Sequence, residues 1–245
     1  MKNIIIAGGN GFLGKQFTEF LRNKKDLAIH VIDISVPKTK NINVYAYKCN
    51  ILNERKVKKI IDQIFKKFKS IDVLINCTAQ DYPPTNKKKK LFETINVKEI
   101  NHDFNIGIIT SVIMVKHVSK YMKKQKKGNI VNIGSDLSFI SPNQNIYKNF
   151  IKPIGYSIVK HGIIGFTKYL ATYFANSNIR CNALCPGGIY NSHDKKFVSN
   201  IKKLIPMKRM AKKNELNEAM FFLISEKSSY VNGHSLIVDG GRTIW

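Results

Sequence analysis

In the stretch GYSIVKHG, residues 155–162, Tyr156 and Lys160 stand four positions apart. On a helix that spacing puts both side chains on one face, about one turn apart. Tyrosine is a weak base near neutral pH, with an ordinary pKa of ~10. A neighbouring ammonium group favours the phenolate and lowers that value, which makes the phenol a proton-transfer group. A YxxxK pair also arises by chance, so its meaning depends on its surroundings. Upstream, Ser135 closes the run GNIVNIGS (128–135). A serine hydroxyl both donates and accepts, so it could hold a substrate oxygen against the tyrosine. Such a trio suits proton transfer at an alcohol or ketone oxygen.

Those residues need a frame, and the hydropathy pattern supplies one. Short apolar runs read as strands: NIIIAG (3–8), AIHVIDI (28–34), NVYAYKC (43–49), IDVLINC (71–77), GNIVNIGS (128–135), IRCNALC (179–185) and HSLIVD (234–239). Between them lie stretches of helical periodicity: 12–25, 54–68, 105–124, a segment from Tyr156 to about Asn176, and 214–225. Strands that are apolar on both faces and alternate with helices predict a parallel sheet covered on both sides. Right-handed crossovers then give an α/β fold with a single doubly wound parallel sheet, a Rossmann fold. No Pro/Gly/Ser-rich linker or internal repeat divides residues 1–245, so one domain is expected. Ligands of such sheets bind outside the carboxyl ends of the strands.

The first strand runs into AGGNGFLG, with Gly8, Gly9, Gly11 and Gly14. A tight turn, a close backbone approach to a pyrophosphate and close helix packing each favour a missing side chain. The following helix offers N–H groups and a positive dipole end to phosphates. The place of this pattern between strand and helix distinguishes it from an ordinary turn. Asp33 ends the second strand, 19 residues beyond Gly14. A carboxylate there accepts from ribose hydroxyls and repels a 2′-phosphate, which favours NAD over NADP. The competing reading is an aspartate that caps a surface loop.

The formal net charge is +25, which raises nucleic acid as a partner. Only five arginines contribute, Arg22, Arg55, Arg180, Arg209 and Arg242, whereas base and phosphate readers lean on arginine forks. Lysine and asparagine are enriched throughout, a compositional bias, and the run Lys87–Lys90 reads as a solvated loop. Nucleic acid is therefore disfavoured. Cys49, Cys77, Cys181 and Cys185 lack CxxC spacing and read as buried free thiols. His161, His193 and His234 are scattered, so no metal site is expected. No apolar run approaches the ~18 residues of a membrane span, and no signal peptide is evident. A soluble cytoplasmic protein is expected.

With these residues in place, the sequence resembles the short-chain dehydrogenases/reductases nearly from end to end. GGNGFLG stands at that family's cofactor turn. LINCTA (74–79) stands at its adenosine-side stretch, FNIG (104–107) at its helix-four asparagine, and RCNALCPGG (180–188) at its nicotinamide border. VNGHSLIVDGG (231–241) matches its C-terminal strand and subunit-contact segment. The resemblance implies Asn105, Ser135, Tyr156 and Lys160 as catalytic residues, Asn105 supporting a proton-relay water. It implies cofactor contacts at Gly8, Asn10, Gly11, Phe12, Leu13, Gly14, Asp33, Asn50, Ile51, Asn76, Cys77, Thr78, Tyr156, Lys160, Pro186, Gly187 and Ile189. Lys160 would also hold the nicotinamide ribose. A homo-oligomer, tetramer or dimer, goes with this resemblance.

The chain departs from the family in ways that bear on substrate. Phe12 stands where shorter members usually have glycine, and Asn50 where an aspartate often meets adenine. Ser135 and Tyr156 are 21 residues apart, further than shorter members keep them. The stretch 136–155 therefore reads as an insertion beside the substrate pocket, and 189–210 as a segment that closes over it. Amides and lysines in the insertion suit a small polyhydroxylated substrate, a sugar or sugar derivative of surface-glycan biosynthesis. The insertion could also be a surface loop without a substrate role. Tyr190, His193 and Lys195 are candidate substrate contacts by position, and Asn191 or Ser192 could bond the nicotinamide amide. Two other readings remain at this stage: a reductase of 3-oxoacyl thioesters or simple ketones, and a non-catalytic cofactor-sensing or RNA-binding protein.

Overall fold

The computed structural model describes residues 1–36, 41–80, 91–147 and 151–245. Lys38, Lys40 and Lys87–Lys90 lie outside the described residues, as do positions 148–150 of the insertion. Seven strands form one sheet: β1 (Lys2–Ala7), β2 (Leu27–Asp33), β3 (Val44–Lys48), β4 (Val73–Asn76), β5 (Gly128–Ile133), β6 (Ile179–Pro186) and β7 (Ser235–Val238). Their order is β3-β2-β1-β4-β5-β6-β7, and every pairing is parallel. The winding direction reverses between β1 and β4. There the loops beyond neighbouring strands diverge and open a crevice at the carboxyl edge.

The helices are α1 (Phe12–Leu21), α2 (Glu54–Phe68), α3 (Val97–Phe104), α4 (Thr110–Gln125), α5 (Ile154–Tyr173), α6 (Lys195–Lys203) and α7 (Asn217–Ile224). Side chains alternate along a strand, so each strand feeds two cores. Ile5 and Ala7 of β1 pack with Val57 and Ile61 of α2, Met114 and Val118 of α4, and Leu170 of α5. Ile4 and Ile6 face the other way, toward Phe17 and Leu21 of α1 and Met220 and Leu223 of α7. Each such buried aliphatic side chain contributes about 1.5–3 kcal/mol of transfer free energy. That is why these strands carry no polar face.

Four elements differ from the sequence expectation, the first being α1, expected over 12–25 but ending at Leu21. The helix expected over 105–124 begins earlier, at Val97, where the Asn96 side chain caps it by accepting from the Lys98 N–H. It then passes through a π-helical turn, Asn105–Ile109, before α4. The helix expected over 214–225 opens as a 3-10 turn, Lys213–Leu216. Within the closing segment 189–210, for which the sequence predicts no element, α6 forms. Asp194 caps it by accepting from the Lys196 and Phe197 N–H groups. Phe197 and Ile201 then bury themselves against Ile146, Ile205 and Met210. Among the described residues, no helix is long and apolar enough to cross a membrane.

Candidate active site

β1 delivers the chain into the glycine turn. Gly8 has φ +71, and a Cβ there would come within 3.0 Å of the Cys77 and Thr78 backbone. A Cβ on Gly14 would lie 2.2 Å from the Gly8 carbonyl oxygen. The turn can close onto α1 only with glycine at both positions. Gly11 is the N-cap of α1; no side chain caps that end, and its first turn holds no acidic residue. The N-terminal N–H groups and the positive dipole end are thus left to an anion. Leu13 packs its side chain into the core, which leaves its backbone to face the turn. Phe12 is partly exposed, with the Lys213 ammonium 4.3 Å from its ring centroid.

Asp33 is buried and clasps this turn. Its Oδ2 accepts from the Asn10 N–H at 3.0 Å and its Oδ1 from the Ser35 N–H at 3.1 Å. The Asn10 amide in turn donates to Ser35 Oγ at 3.0 Å. The carboxylate thus caps the loop after β2 with one oxygen and reaches across to the glycine turn with the other.

Other predicted cofactor residues are near but differently used. The exposed Asn50 spends one Oδ1 lone pair on the Leu52 N–H at 3.0 Å. Ile51 is part of the core, so only its backbone could meet a ligand. The Asn76 side chain turns into the sheet and donates to Asn132 Oδ1 at 2.8 Å, which leaves a contact beside adenosine to its backbone. Thr78 and Thr110 share a hydroxyl–hydroxyl bond of 2.8 Å, which ties the end of β4 to α4. Pro186 ends β6; at Gly187 a Cβ would lie 2.7 Å from Asp239 Cα, so the loops after β6 and β7 press together there. Ile189 packs on the core and bridges to Ala211.

At the catalytic end, Ser135 follows β5 and caps a short 3-10 turn, Asp136–Ser138. Its Oγ accepts from the Leu137 N–H at 3.2 Å and donates to Asp136 Oδ1 at 2.8 Å. Ser138 Oγ accepts from the Ser135 N–H at 3.1 Å and donates to the Lys160 carbonyl at 2.7 Å. That pair of bonds fastens the serine turn to α5. Lys160, only 4% exposed, donates from Nζ to the Ile133 carbonyl at 2.9 Å. Its Nζ lies 5.6 Å from the Tyr156 ring centroid, and Lys152 Nζ lies 4.1 Å from the same ring. Two ammonium groups therefore bear on one half-buried phenol, where the sequence pointed to one.

Glycines set how closely the neighbouring helical segments approach. A Cβ on Gly107 would lie 2.2 Å from Val159 Cγ1, and one on Gly155 2.2 Å from Asp103 Oδ2. α5, which carries Tyr156 and Lys160, thus meets α3 and the π turn that carries Asn105 with no room for a methyl group. The Asn105 side chain is exposed, and the Asn105 backbone carbonyl accepts from the Thr110 N–H.

The insertion is buried at its start and exposes its amides Asn143, Gln144 and Asn145 further on. Asp136, Leu137 and Ser138 are buried behind Ser135, and Ile146 is core. Asp136 Oδ2 accepts from Arg242 Nη1 at 2.7 Å, a contact 106 positions apart that sequence reasoning missed. Tyr190, His193 and Lys195 line a cavity of about 340 Å³ with Val198, Ser199 and Lys202.

Residues 24–243 match a protein family described as enoyl-(acyl carrier protein) reductase. The chain is 30% identical over 250 residues to the 3-oxoacyl-[acyl-carrier-protein] reductase FabG of Buchnera aphidicola, covering 98% of this chain and 96% of that protein. It is 28% identical over 253 residues to post-translational flagellin modification protein A of Campylobacter coli, covering 98% and 97%. A short-chain dehydrogenase from Leptospira borgpetersenii, crystallised with NAD+, superposes with a TM-score of 0.90 at 30% identity, covering 99% and 93%. The chain belongs to the short-chain dehydrogenase/reductase family and is an oxidoreductase of that family.

Proposed function

We propose that the protein is an NAD-dependent oxidoreductase acting on a secondary alcohol or ketone of a sugar or sugar derivative. The observation that carries this reading is that Ser135, just past β5, is tied through Ser138 to Lys160 of α5, whose Nζ lies 5.6 Å from the Tyr156 ring centroid. The glycine turn fits a dinucleotide: Gly8 and Gly14 leave no space for a Cβ, and the α1 terminus carries no competing acid. Residues 8–14 would hold the pyrophosphate and Asp33 the adenosine ribose. Lys160 would reach the nicotinamide ribose, with Pro186, Gly187 and Ile189 at the nicotinamide border. The bound nicotinamide supplies or takes the hydride.

The chain's own part is proton handling and orientation. Tyr156 Oη takes the substrate hydroxyl proton in oxidation and returns it in reduction. Cationic Lys160 and Lys152 favour the phenolate form. Ser135 Oγ orients the substrate oxygen, and Asn105 supports a water that passes the proton outward. The described parts of 136–155, namely 136–147 and 151–155, would form the substrate wall together with 189–210, within one domain, 1–245. Tyr147 stacks on Phe197 at 5.5 Å, and the Asn200 amide donates to the Ile146 carbonyl at 3.2 Å. Likeness to the flagellin modification protein supports a glycan-building context. A cytoplasmic homo-oligomer, tetramer or dimer, goes with this reading.

A second reading, reduction of a 3-oxoacyl thioester, draws on the likeness to FabG. Calorimetric titration with NAD and NADP separates the two at the cofactor. The sugar reading expects NAD to bind the tighter of the two; tighter NADP binding would move the assignment toward the thioester reductase.

A further inference from the structure

Behind the catalytic serine lies a buried ion pair that joins the C-terminal segment to the active site. The Arg242 and Asp136 side chains are 6% and 4% exposed, and Nη1 meets Oδ2 at 2.7 Å. The other oxygen, Oδ1, accepts both the Ser135 hydroxyl and the Leu137 N–H, each at 2.8 Å. Arg242 is delivered by a tight turn after β7. The Asp239 carboxylate accepts from the Gly241 and Thr243 N–H groups at 2.8 and 2.7 Å. Gly240 and Gly241 have φ +68 and +88. Three residues on, the Trp245 indole donates to the Leu204 carbonyl at 3.1 Å, just past α6 of the closing segment.

We propose that Asp136 and Arg242 are positioning residues for Ser135, and that the C-terminal turn is thereby a working part of the active site. The proposal rests on the oxidoreductase reading of Ser135. A serine hydroxyl rotates freely about its Cβ unless partners fix it. Here the Ser135 oxygen is held by the Leu137 N–H and its proton rests on Asp136 Oδ1, from which it turns to donate to a substrate oxygen in the pocket. Asp136 can hold that geometry only while its own carboxylate is fixed, and Arg242 fixes it from the far side. A purely stabilising pair would not need this register, because a buried ion pair is often replaceable by apolar residues at little cost in stability.

The test uses the full chain. Arg242→Met, Arg242→Lys and the double variant Asp136→Leu/Arg242→Met are compared with wild type. The readouts are NAD affinity, thermal unfolding and steady-state kinetics, on the substrate that wild type turns over. The double variant removes both charges, so it guards against the misfolding that a lone buried carboxylate could cause. Arg242→Met and the double variant should lose roughly 10- to 100-fold in kcat, the scale of a misplaced catalytic group. KM and NAD affinity should stay within about threefold. Arg242→Lys should recover most of kcat, since the contact is a single N–H to one oxygen.

The split between kcat and NAD affinity, and the rescue by Arg242→Lys, are readouts that a loss of stability alone would not produce. Wild-type kcat in the double variant would overturn the proposal.

If wild type turns over no sugar tried, the sugar reading fails by itself and the family assignment stands. The positioning claim is then decided by the crystal structure of Arg242→Met. A Ser135 side chain unmoved from its bonds to Asp136 and Leu137 would overturn it, and a rotated one would sustain it.

Discussion

Replacing Gly107 with alanine tests whether the packing of α5 sets the active-site geometry. The added Cβ would lie 2.2 Å from Val159 Cγ1. Valine is stiff about χ1, and Val159 is buried between Ile108 and Ile163, so neither side yields easily. Overpacking of this kind costs about 1–3 kcal/mol. The gain in helix propensity from glycine to alanine offsets about 0.5–1 kcal/mol of that. The net loss is roughly 0–2.5 kcal/mol, and each kcal/mol lowers Tm by about 2–4 °C in a chain of this size. Activity should fall further than stability implies, because α5 carries Tyr156 and Lys160. Val159→Ala makes room for the new methyl group, so the pair should couple favourably by about 0.5–3 kcal/mol in a double-mutant cycle. Differential scanning calorimetry and kcat/KM measure the two effects. Full activity in Gly107→Ala, or no rescue by Val159→Ala, would refute the claim that this contact sets the site.

Tyr156→Phe should abolish turnover and leave NAD affinity within about twofold, a loss far above the ~10²–10⁴ that general acid–base groups contribute only if the phenol also orients substrate. Preserved turnover would remove Tyr156 from the chemistry. Asp33→Asn keeps an acceptor for the Asn10 N–H but drops the charge that opposes a 2′-phosphate. The NADP/NAD affinity ratio should then rise by about tenfold, or ~1.4 kcal/mol, and an unchanged ratio would deny Asp33 its role. His30 is fully buried between Asn3 and Tyr47, and burial, followed by the charge of Lys67, pushes its pKa down to about 4. Its folded value lies below the unfolded one of ~6.5. As pH falls from ~6.5 to ~4 the unfolded chain takes up a proton that the folded chain refuses, and stability drops by up to about 3 kcal/mol. His30→Phe should flatten Tm against pH over that window; an unaltered slope would place the effect elsewhere.

The strands and the site motifs were legible in the sequence because their causes are local. Two-sided burial makes a strand apolar throughout, and the glycine turn, Ser135 and the Tyr156/Lys160 pair each lie within one short segment. What escaped was decided by contacts between distant segments. The π turn at Asn105–Ile109 belongs with the close approach of Gly107 to Val159, 52 positions away. α6 was readable in part, since Asp194 precedes Phe197 and Ile201 at helical spacing. Its burial depends on Ile146 across the pocket, which no pattern within the segment signals. Asn76 matched its motif in type, yet Asn132 on the neighbouring strand takes its side chain into the sheet. Asp136 and Arg242 are each ordinary in their own surroundings and meaningful only as a pair.

The most direct measurement of the central claim follows nicotinamide absorbance while the protein is incubated with NAD and a panel of sugars, sugar phosphates, nucleotide sugars and sugar acids. 3-Oxoacyl thioesters with NADPH and with NADH serve as the contrasting arm. The account predicts that NAD is reduced with one sugar class and that Tyr156→Phe abolishes the signal. Turnover of the thioesters alone, or a signal that survives the loss of the Tyr156 hydroxyl, would contradict it.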